Sequence, residues 1–121
     1  MHVEKHSVSM TTDGSGAATG YSDQVNGLLD RIVYEKTDFA DGVDFTITLE
    51  ETGETLWAES NVNAATSRAP RQALHGTDGA ASLYADAGEA VLDRIAVAGR
   101  VKIVVAQGGD SKTGAFHILT I

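Results

Sequence analysis

The sequence predicts an all-β domain: a β-sandwich or jelly-roll-like fold with one long arm-like loop. Short segments rich in Val, Ile, Thr and Tyr are separated by turn residues, with 13 glycines and a single proline among 121 residues. Residues 43–50 alternate between apolar and polar side chains, which is the period of a strand with one buried face. A chain of this length forms one domain, residues 1–121, around a single hydrophobic core.

Seven to nine short strands are expected along the chain. The segments that carry the strand pattern are 4–12, 17–21, 28–34, 43–50, 55–59, 90–97, 101–106 and 115–121. The first two flank turn residues 13–16 and predict an opening hairpin, because glycine adopts positive φ without steric cost. The fourth and fifth predict a central hairpin around residues 51–54. Two further turns are predicted at 98–100 and 108–110.

Residues 60–88 differ in composition from the rest of the chain. Asn, Ala, Thr, Ser and Gly dominate there, β-branched apolar residues are scarce, and Pro70 interrupts the segment. The sequence predicts no strand in it and allows one short helix at 80–90. A connection of this length is unusual in a compact domain, where long loops are mostly functional or ordered by a partner. We therefore expect an arm-like excursion from the domain.

Charge and composition exclude several classes of function. Nine Lys and Arg against 17 Asp and Glu give a net charge of −8, the wrong sign for holding nucleic acid through its phosphates. Without cysteine, the chain has no disulfide, no thiolate metal site and no cysteine nucleophile. No apolar run is long enough for a membrane span, and the first residues lack a signal peptide's apolar stretch. We expect a soluble protein made in the cytoplasm, with neither nucleic acid nor membrane as a partner.

Two sets of acidic residues have side chains suited to a metal or catalytic site, but the sequence does not support either site. Three aspartates recur at every third residue around a turn: Asp38, Asp41 and Asp44. An EF-hand loop instead alternates its ligands and ends in a distant glutamate, so this pattern predicts a solvated turn and not a calcium site. Four glutamates border the central hairpin: Glu50, Glu51, Glu54 and Glu59. Because aromatic residues are few, the sequence does not predict a glycosidase-like carboxylate pair.

The histidine and nucleophile patterns predict no catalytic, metal or cofactor site. The histidines are His2, His6, His75 and His117, and they lack the spacing of metal ligands. No Gly-x-Ser-x-Gly motif marks a serine nucleophile. Residues 108–114 contain Gly, Lys and Thr in an order unlike a phosphate-binding loop, and a strand is predicted where that loop requires a helix. The sequence therefore predicts that the protein is not an enzyme and binds no cofactor.

Four residues of the excursion form the candidate interface: Arg68, Pro70, Arg71 and His75. They concentrate basic and hydrogen-bonding groups in a chain that is otherwise acidic. Arginine is favoured at interfaces because its planar guanidinium binds carboxylates or carbonyl oxygens in a bidentate manner. An arm with two arginines is suited to an acidic neighbour. The alternative is a mobile loop in which the arginines are incidental.

Four turn-and-strand motifs are spread along most of the chain. They are DFADGVDFTIT at 38–48, TGETLW at 52–57, APR at 69–71 and RVKIVVAQGG at 100–109. With these motifs the chain resembles a family of small proteins encoded among the head genes of tailed bacteriophages and prophages. The resemblance implies a virion structural protein without catalytic residues, and it transfers no binding residue.

Within that setting, a small acidic β protein is similar to capsid decoration, or cement, proteins. The resemblance implies an oligomer, with a trimer favoured, that binds the major capsid protein on the outside of the capsid and bridges capsomers. One alternative is a head–tail connector component, a stopper or adaptor in a ring below the portal. Another is a carbohydrate-binding sandwich, which requires exposed rings among Trp57, Tyr21, Tyr34 and Tyr84. We expect Trp57 to pack in the core instead.

Overall fold

The computed structural model describes residues 2–121, which form nine β-strands and no helix. The strands are β1 (Glu4–Thr11), β2 (Ala18–Lys36), β3 (Val43–Leu49), β4 (Thr55–Val62), β5 (Thr66–Arg68), β6 (Arg71–Ala73), β7 (Leu92–Arg94), β8 (Ala96–Ala106) and β9 (Thr113–Thr120). All their pairings are antiparallel. The prediction of an all-β sandwich is confirmed. In the described range, no helix is long and apolar enough to cross a membrane.

Strand β2 belongs to both sheets of the sandwich. Its first half, from Ala18 to Leu28, pairs with β8, and its second half, from Leu29 to Lys36, pairs with β9. Sheet A has the strand order β1-β9-β2-β5, and sheet B has the order β2-β8-β3-β4. At 19 residues, β2 is long enough to pass from one sheet to the other. The connection between the two layers is therefore a continuous strand.

The core lies between the sheets and is built from alternate residues of each strand. In β9, Phe116 and Ile118 are fully buried while their neighbours are partly exposed. Five aromatic rings meet at the centre: Tyr34, Phe39, Phe45, Trp57 and Phe116. The Tyr34 ring centroid lies 5.2 Å from the centroids of both Phe45 and Phe116. Aromatic pairs at such distances add about 0.5–1.5 kcal/mol each beyond the area they bury.

The Tyr34 hydroxyl is buried and has no hydrogen-bond partner among residues 2–121. Burial raises the pKa of Tyr34, and the negative charge of Asp41 adds to this rise. Leaving a buried hydroxyl unpaired costs about 1–3 kcal/mol. We therefore expect Tyr34→Phe to keep the fold and to raise the free energy of unfolding by ~1 kcal/mol in urea titrations. A clear loss of stability in this variant would contradict the unpaired state of the hydroxyl.

The opening hairpin predicted for the first two strands does not form. Its turn is present, with the Gly16 N–H donating to the Asp13 carbonyl at 3.1 Å, but β1 pairs with β9 and β2 pairs with β8. The two strands therefore enter different sheets. Val8 and Met10 of β1 pack on Gly20 of β2, where a Cβ would lie 3.1 Å from a side-chain carbon of each. The contact between the strands is side-chain packing and not a backbone ladder.

The turn predicted at residues 98–100 is also wrong, because β8 continues through it. Gly99 is buried and has a φ of +137°, which other residues rarely adopt, and the pairing with β2 continues on both sides of it. A bulge in β2 lies nearby, where the Ser22 hydroxyl accepts a hydrogen bond from the Val101 N–H at 2.9 Å. The glycine thus marks a local irregularity within a strand.

Residues 60–88 contain more strand than the sequence predicts. β4 extends to Val62, β5 pairs with the second half of β2, and β6 pairs with β7. The short helix allowed at 80–90 is not formed, and these residues make turns and isolated bridges instead. The part that leaves the sandwich is 71–94, from β6 to β7, and is called the arm below.

Candidate interaction surface

The arm is ordered by backbone hydrogen bonds. β6 and β7 form its base, and two tight turns follow, closed by N–H···O=C bonds within 76–79 and 85–88. Beyond the base, Leu74, Ser82 and Val91 form a closed cycle in which each N–H donates to the carbonyl of another at 2.9 Å. Three segments of the arm therefore meet at one junction. This arrangement gives the arm a defined shape without a core of its own.

The arm exposes large apolar side chains. The structure describes all of residues 63–94, and none of them is buried. Four large apolar residues of the arm are exposed: Leu74, Leu83, Tyr84 and Leu92. The exposed fraction is 75% for Tyr84 and 55% for Leu92. Several exposed large apolar side chains on one short excursion are typical of an interaction site.

Arg71 anchors the arm to the sandwich. Its Nη1 donates to the carbonyl oxygen of Asp30 at 3.0 Å and lies 3.4 Å from that of Leu29, both on β2. The same atom donates to the Pro70 carbonyl at 2.9 Å. These contacts lie where β2 passes from one sheet to the other and leave Arg71 half-buried. The guanidinium therefore satisfies backbone carbonyls of its own chain.

Arg68 lies on β5, outside the arm, and is paired within the chain. Its Nε and Nη2 donate to the two carboxylate oxygens of Glu59, each at 3.0 Å. The guanidinium carbon lies 6.0 Å from the ring centroid of Trp57, whose indole N–H also donates to Glu59. The hydrogen bond from Trp57 lowers the pKa of Glu59. Burial acts in the opposite direction, but the hydrogen bond and the charge of Arg68 lower the pKa further. The three side chains form one polar cluster beside β4.

The four residues predicted as an interface are not brought together. Arg68 is directed to Glu59, whereas Arg71 is directed to the backbone of β2. Pro70 is half-buried between β5 and β6. His75 is exposed in the arm, where it pairs with Ala81. Both guanidiniums already donate within the chain, and the interface role of these four residues stays a prediction.

The outer face of sheet B is a second surface with exposed apolar side chains. One row of small and β-branched residues crosses all four strands: Thr19, Val104, Thr46 and Ala58. Tyr21 is exposed beside this row on β2, and Leu28 is exposed at the far end of the pairing between β2 and β8, opposite Ala96. Two basic residues, Arg100 and Lys102, lie on the same face of β8 as Val104. The face thus combines apolar side chains with charges of both signs, because the Glu50 carboxylate pairs with Arg100.

An open pocket of about 280 Å³ lies at one end of this face, lined by Gln24, Glu50, Glu51, Gly99 and Arg100. Arg100 donates to the two carboxylate oxygens of Glu50 at 2.7 and 2.9 Å, and its guanidinium carbon lies 4.5 Å from the Tyr21 ring centroid. The hydrogen bond from Arg100 lowers the pKa of Glu50, and that same bond raises the pKa of Arg100. The pocket is therefore a polar depression whose main charges pair with each other.

Two histidines lie beside carboxylates that are distant from them in the sequence. On the outer face of sheet A, His117 Nδ1 lies 2.8 Å from the Ser7 hydroxyl and Nε2 lies 2.5 Å from Glu35. His6 Nδ1 lies 2.7 Å from Asp23. Ser, His and Glu occur together in hydrolytic triads, but β9 is paired on both sides, so the backbone N–H groups around His117 serve the sheet ladder and not an oxyanion. The group is a polar bridge between three strands.

The three aspartates that recur at every third residue around the turn at 38–44 bind separate partners. Asp38 accepts a hydrogen bond from a backbone N–H of β9, Asp44 accepts one from β4, and Asp41 pairs with Lys36. The N–H donor on β9 lowers the pKa of Asp38. Within residues 2–121, no three His, Asp or Glu side chains are placed to hold a metal ion. These carboxylates stabilise the loops at one end of the sandwich.

Comparison of the chain with family models, with curated proteins and with solved structures found no match. The resemblance to phage head proteins is not tested by these comparisons and stays a prediction from the sequence motifs. The function of the chain is therefore inferred from its motifs and from the two surfaces described above.

The positions of the aromatic residues bear on the carbohydrate-binding alternative. Trp57 is only 6% exposed, as expected for a core residue, and Tyr34 is fully buried. The face of Tyr21 is covered by the Arg100 guanidinium. Of the four rings that this alternative requires, only Tyr84 in the arm remains widely exposed. A single open ring gives little basis for stacking a sugar.

Proposed function

We propose that this protein is a non-enzymatic virion component that binds the outside of a bacteriophage capsid and stabilises the shell by bridging capsomers. The observation that carries the proposal is the arm, which is ordered, buries no residue and exposes four large apolar side chains. A decoration protein stabilises a shell because it binds the assembled lattice and not the free subunits. It therefore needs interface area more than reactive groups.

Two further features support this role. β1 is the outer strand of sheet A and β4 is the outer strand of sheet B, so each offers unpaired backbone groups to a neighbouring sheet. The net charge of −8 disfavours contact with the phosphates of a packaged genome. The phage-head motifs supply the setting. The partners proposed from them are the major capsid protein and further copies of this chain, a trimer being favoured.

A connector ring below the portal is the second candidate, because an arm and free strand edges serve a ring as well as a shell. The number of copies separates the two. We expect quantitative mass spectrometry of purified particles to find on the order of hundreds of copies per particle, since decoration follows the symmetry of the whole shell. The major capsid protein in the same sample serves as the internal standard.

A count of about a dozen or fewer, the size of a single ring, would replace the decoration role by the connector role. Particles without the protein would contradict both.

A further inference from the structure

We propose that His6 is a proton-dependent clamp that holds the outer strand β1 to the rest of the sandwich. The inference goes beyond the proposed function and does not depend on it, because it concerns the free protein. Its basis is the position of one imidazole ring between two carboxylates, those of Glu4 and Asp23. Protonation of the ring strengthens the attachment of β1, and loss of the proton weakens it.

The attachment of β1 depends on one ladder and on side-chain contacts. β1 is the outer strand of sheet A and pairs on one side only, with β9. The His6 side chain is only 11% exposed and lies on the same face of β1 as the buried Val8. Its Nδ1 lies 2.7 Å from a carboxylate oxygen of Asp23, in the half of β2 that belongs to sheet B. The ring therefore links the outer strand of one sheet to the other sheet.

A neutral His6 ring cannot satisfy both of its neighbours. A neutral imidazole has one N–H, and an ionised carboxylate only accepts hydrogen bonds. At 2.7 Å from Asp23, Nδ1 holds that hydrogen, and Nε2 is left with a lone pair. Nε2 is buried, has no hydrogen-bond partner among residues 2–121, and lies 3.3 Å from a carboxylate oxygen of Glu4. A second proton places a positive charge between the two carboxylates and a hydrogen on the unpartnered nitrogen.

The charged groups around the ring come from three elements. On β1, Glu4 lies two residues before His6 on the same face, and Lys5 lies on the opposite face. His2, just before β1, is mostly exposed and lies 3.6 Å from the other oxygen of Glu4. β9 has one titratable side chain, His117, on the outer face of sheet A. Beyond Asp23, the acidic and basic residues of β2 all lie in its second half: Asp30, Arg31, Glu35 and Lys36.

The direction of the pH dependence follows from this arrangement. Between about pH 8 and pH 5.5, histidine side chains take up a proton while carboxylates in general stay ionised. The charged ring is attracted by Asp23 only while β1 is in place, so lowering the pH through this range stabilises the attachment and raising the pH removes that gain. The carboxylates of Glu4 and Asp23 are 49% and 76% exposed, and water and salt therefore weaken the attraction.

Hydrogen exchange of the purified protein, followed amide by amide at low ionic strength, measures the opening of β1. Protection factors correct for the intrinsic pH dependence of exchange. For the β1 amides bonded to β9, they should rise about fivefold from about pH 8 to pH 5.5. β8 is paired on both sides and serves as the internal reference, and its protection factors should change by less than about twofold.

His6→Gln should abolish the rise, because glutamine cannot take up the proton. Asp23→Asn removes the partner on β2 and leaves the ring in place, so it should reduce the rise independently of any effect of the first variant on folding. The matched control is His117→Gln. Its ring is linked to β1 through the uncharged Ser7 hydroxyl and to β2 through Glu35, so its charge strengthens the contact between β9 and β2 and not that of β1. This variant should keep the rise.

His2→Gln should also keep the rise, since the exposed His2 ring contacts only Glu4 and not β2. A rise of equal size in His6→Gln and the native chain would overturn the proposal, and so would a native chain whose β1 protection does not change with pH. Loss of the rise in His117→Gln or His2→Gln, with the rise retained in Asp23→Asn, would assign the pH dependence to another histidine.

Discussion

Gly114→Ala should lower the free energy of unfolding by about 3 kcal/mol, the upper end for an overpacked core. A Cβ at Gly114 would lie 2.5 and 2.6 Å from two carbons of the Phe39 ring. That ring cannot move away, because it is buried against Tyr34 and the Phe39 N–H donates to the Thr113 carbonyl. Urea titration at neutral pH measures the loss, as a shift of the midpoint.

Gly14→Ala is the matched control. A Cβ there meets only an Asp110 carboxylate oxygen at 3.9 Å, so its effect should stay within about 0.5 kcal/mol. A smaller side chain at position 39 supplies a further check. Phe39→Leu should lower the free energy of unfolding less in the Gly114→Ala background than in the native chain, because the two sites are coupled. Equal stability of the two glycine variants would contradict the packing of Phe39 over β9.

Shortening the arm should abolish assembly while the sandwich stays folded. Ala73 and Leu92 are register partners at the end of β6 and β7, so residues 74–91 can be replaced by an Asn-Gly turn. The deletion removes no buried residue and retains the Arg71 anchor, and the free energy of unfolding should change by less than about 1 kcal/mol. The shortened protein should be a monomer in analytical ultracentrifugation and should be lost from particles, because multivalent attachment is lost with it.

A substitution variant separates the length of the arm from its chemistry. Leu83→Ser with Tyr84→Ser keeps the backbone of the arm and removes two of its exposed apolar side chains. We expect this variant to associate as poorly as the shortened chain. Normal association by the shortened chain would place the contact elsewhere on the molecule.

The alternation of side chains predicted the strands well but not their partners. β3 and β4 were correct as a hairpin because a short turn fixes which strands pair. The same reasoning failed for β1, because the turn after it leads into a different sheet, and burial on one face does not reveal which layer a strand joins. Gly99 was misread as a turn because a glycine within a strand and a glycine in a turn look alike in a sequence.

The candidate surface was predicted only in part. Composition identified the excursion, but the short strands in it carry no alternating pattern, because the arm has no buried face. Arg68 and Arg71 stood out in the sequence, whereas their partners, Glu59 and the carbonyls of β2, depend on contacts that local patterns do not contain. The bridge from Ser7 to His117 joins residues 110 positions apart and follows from strand register alone.

The proposed role places the protein over the outside of a capsid. Immunogold electron microscopy of intact particles, with antibody to this protein, tests it most directly. We expect label over the whole surface of the head. Label confined to one vertex would contradict decoration and indicate a connector, and particles without label would contradict a role on the outer shell.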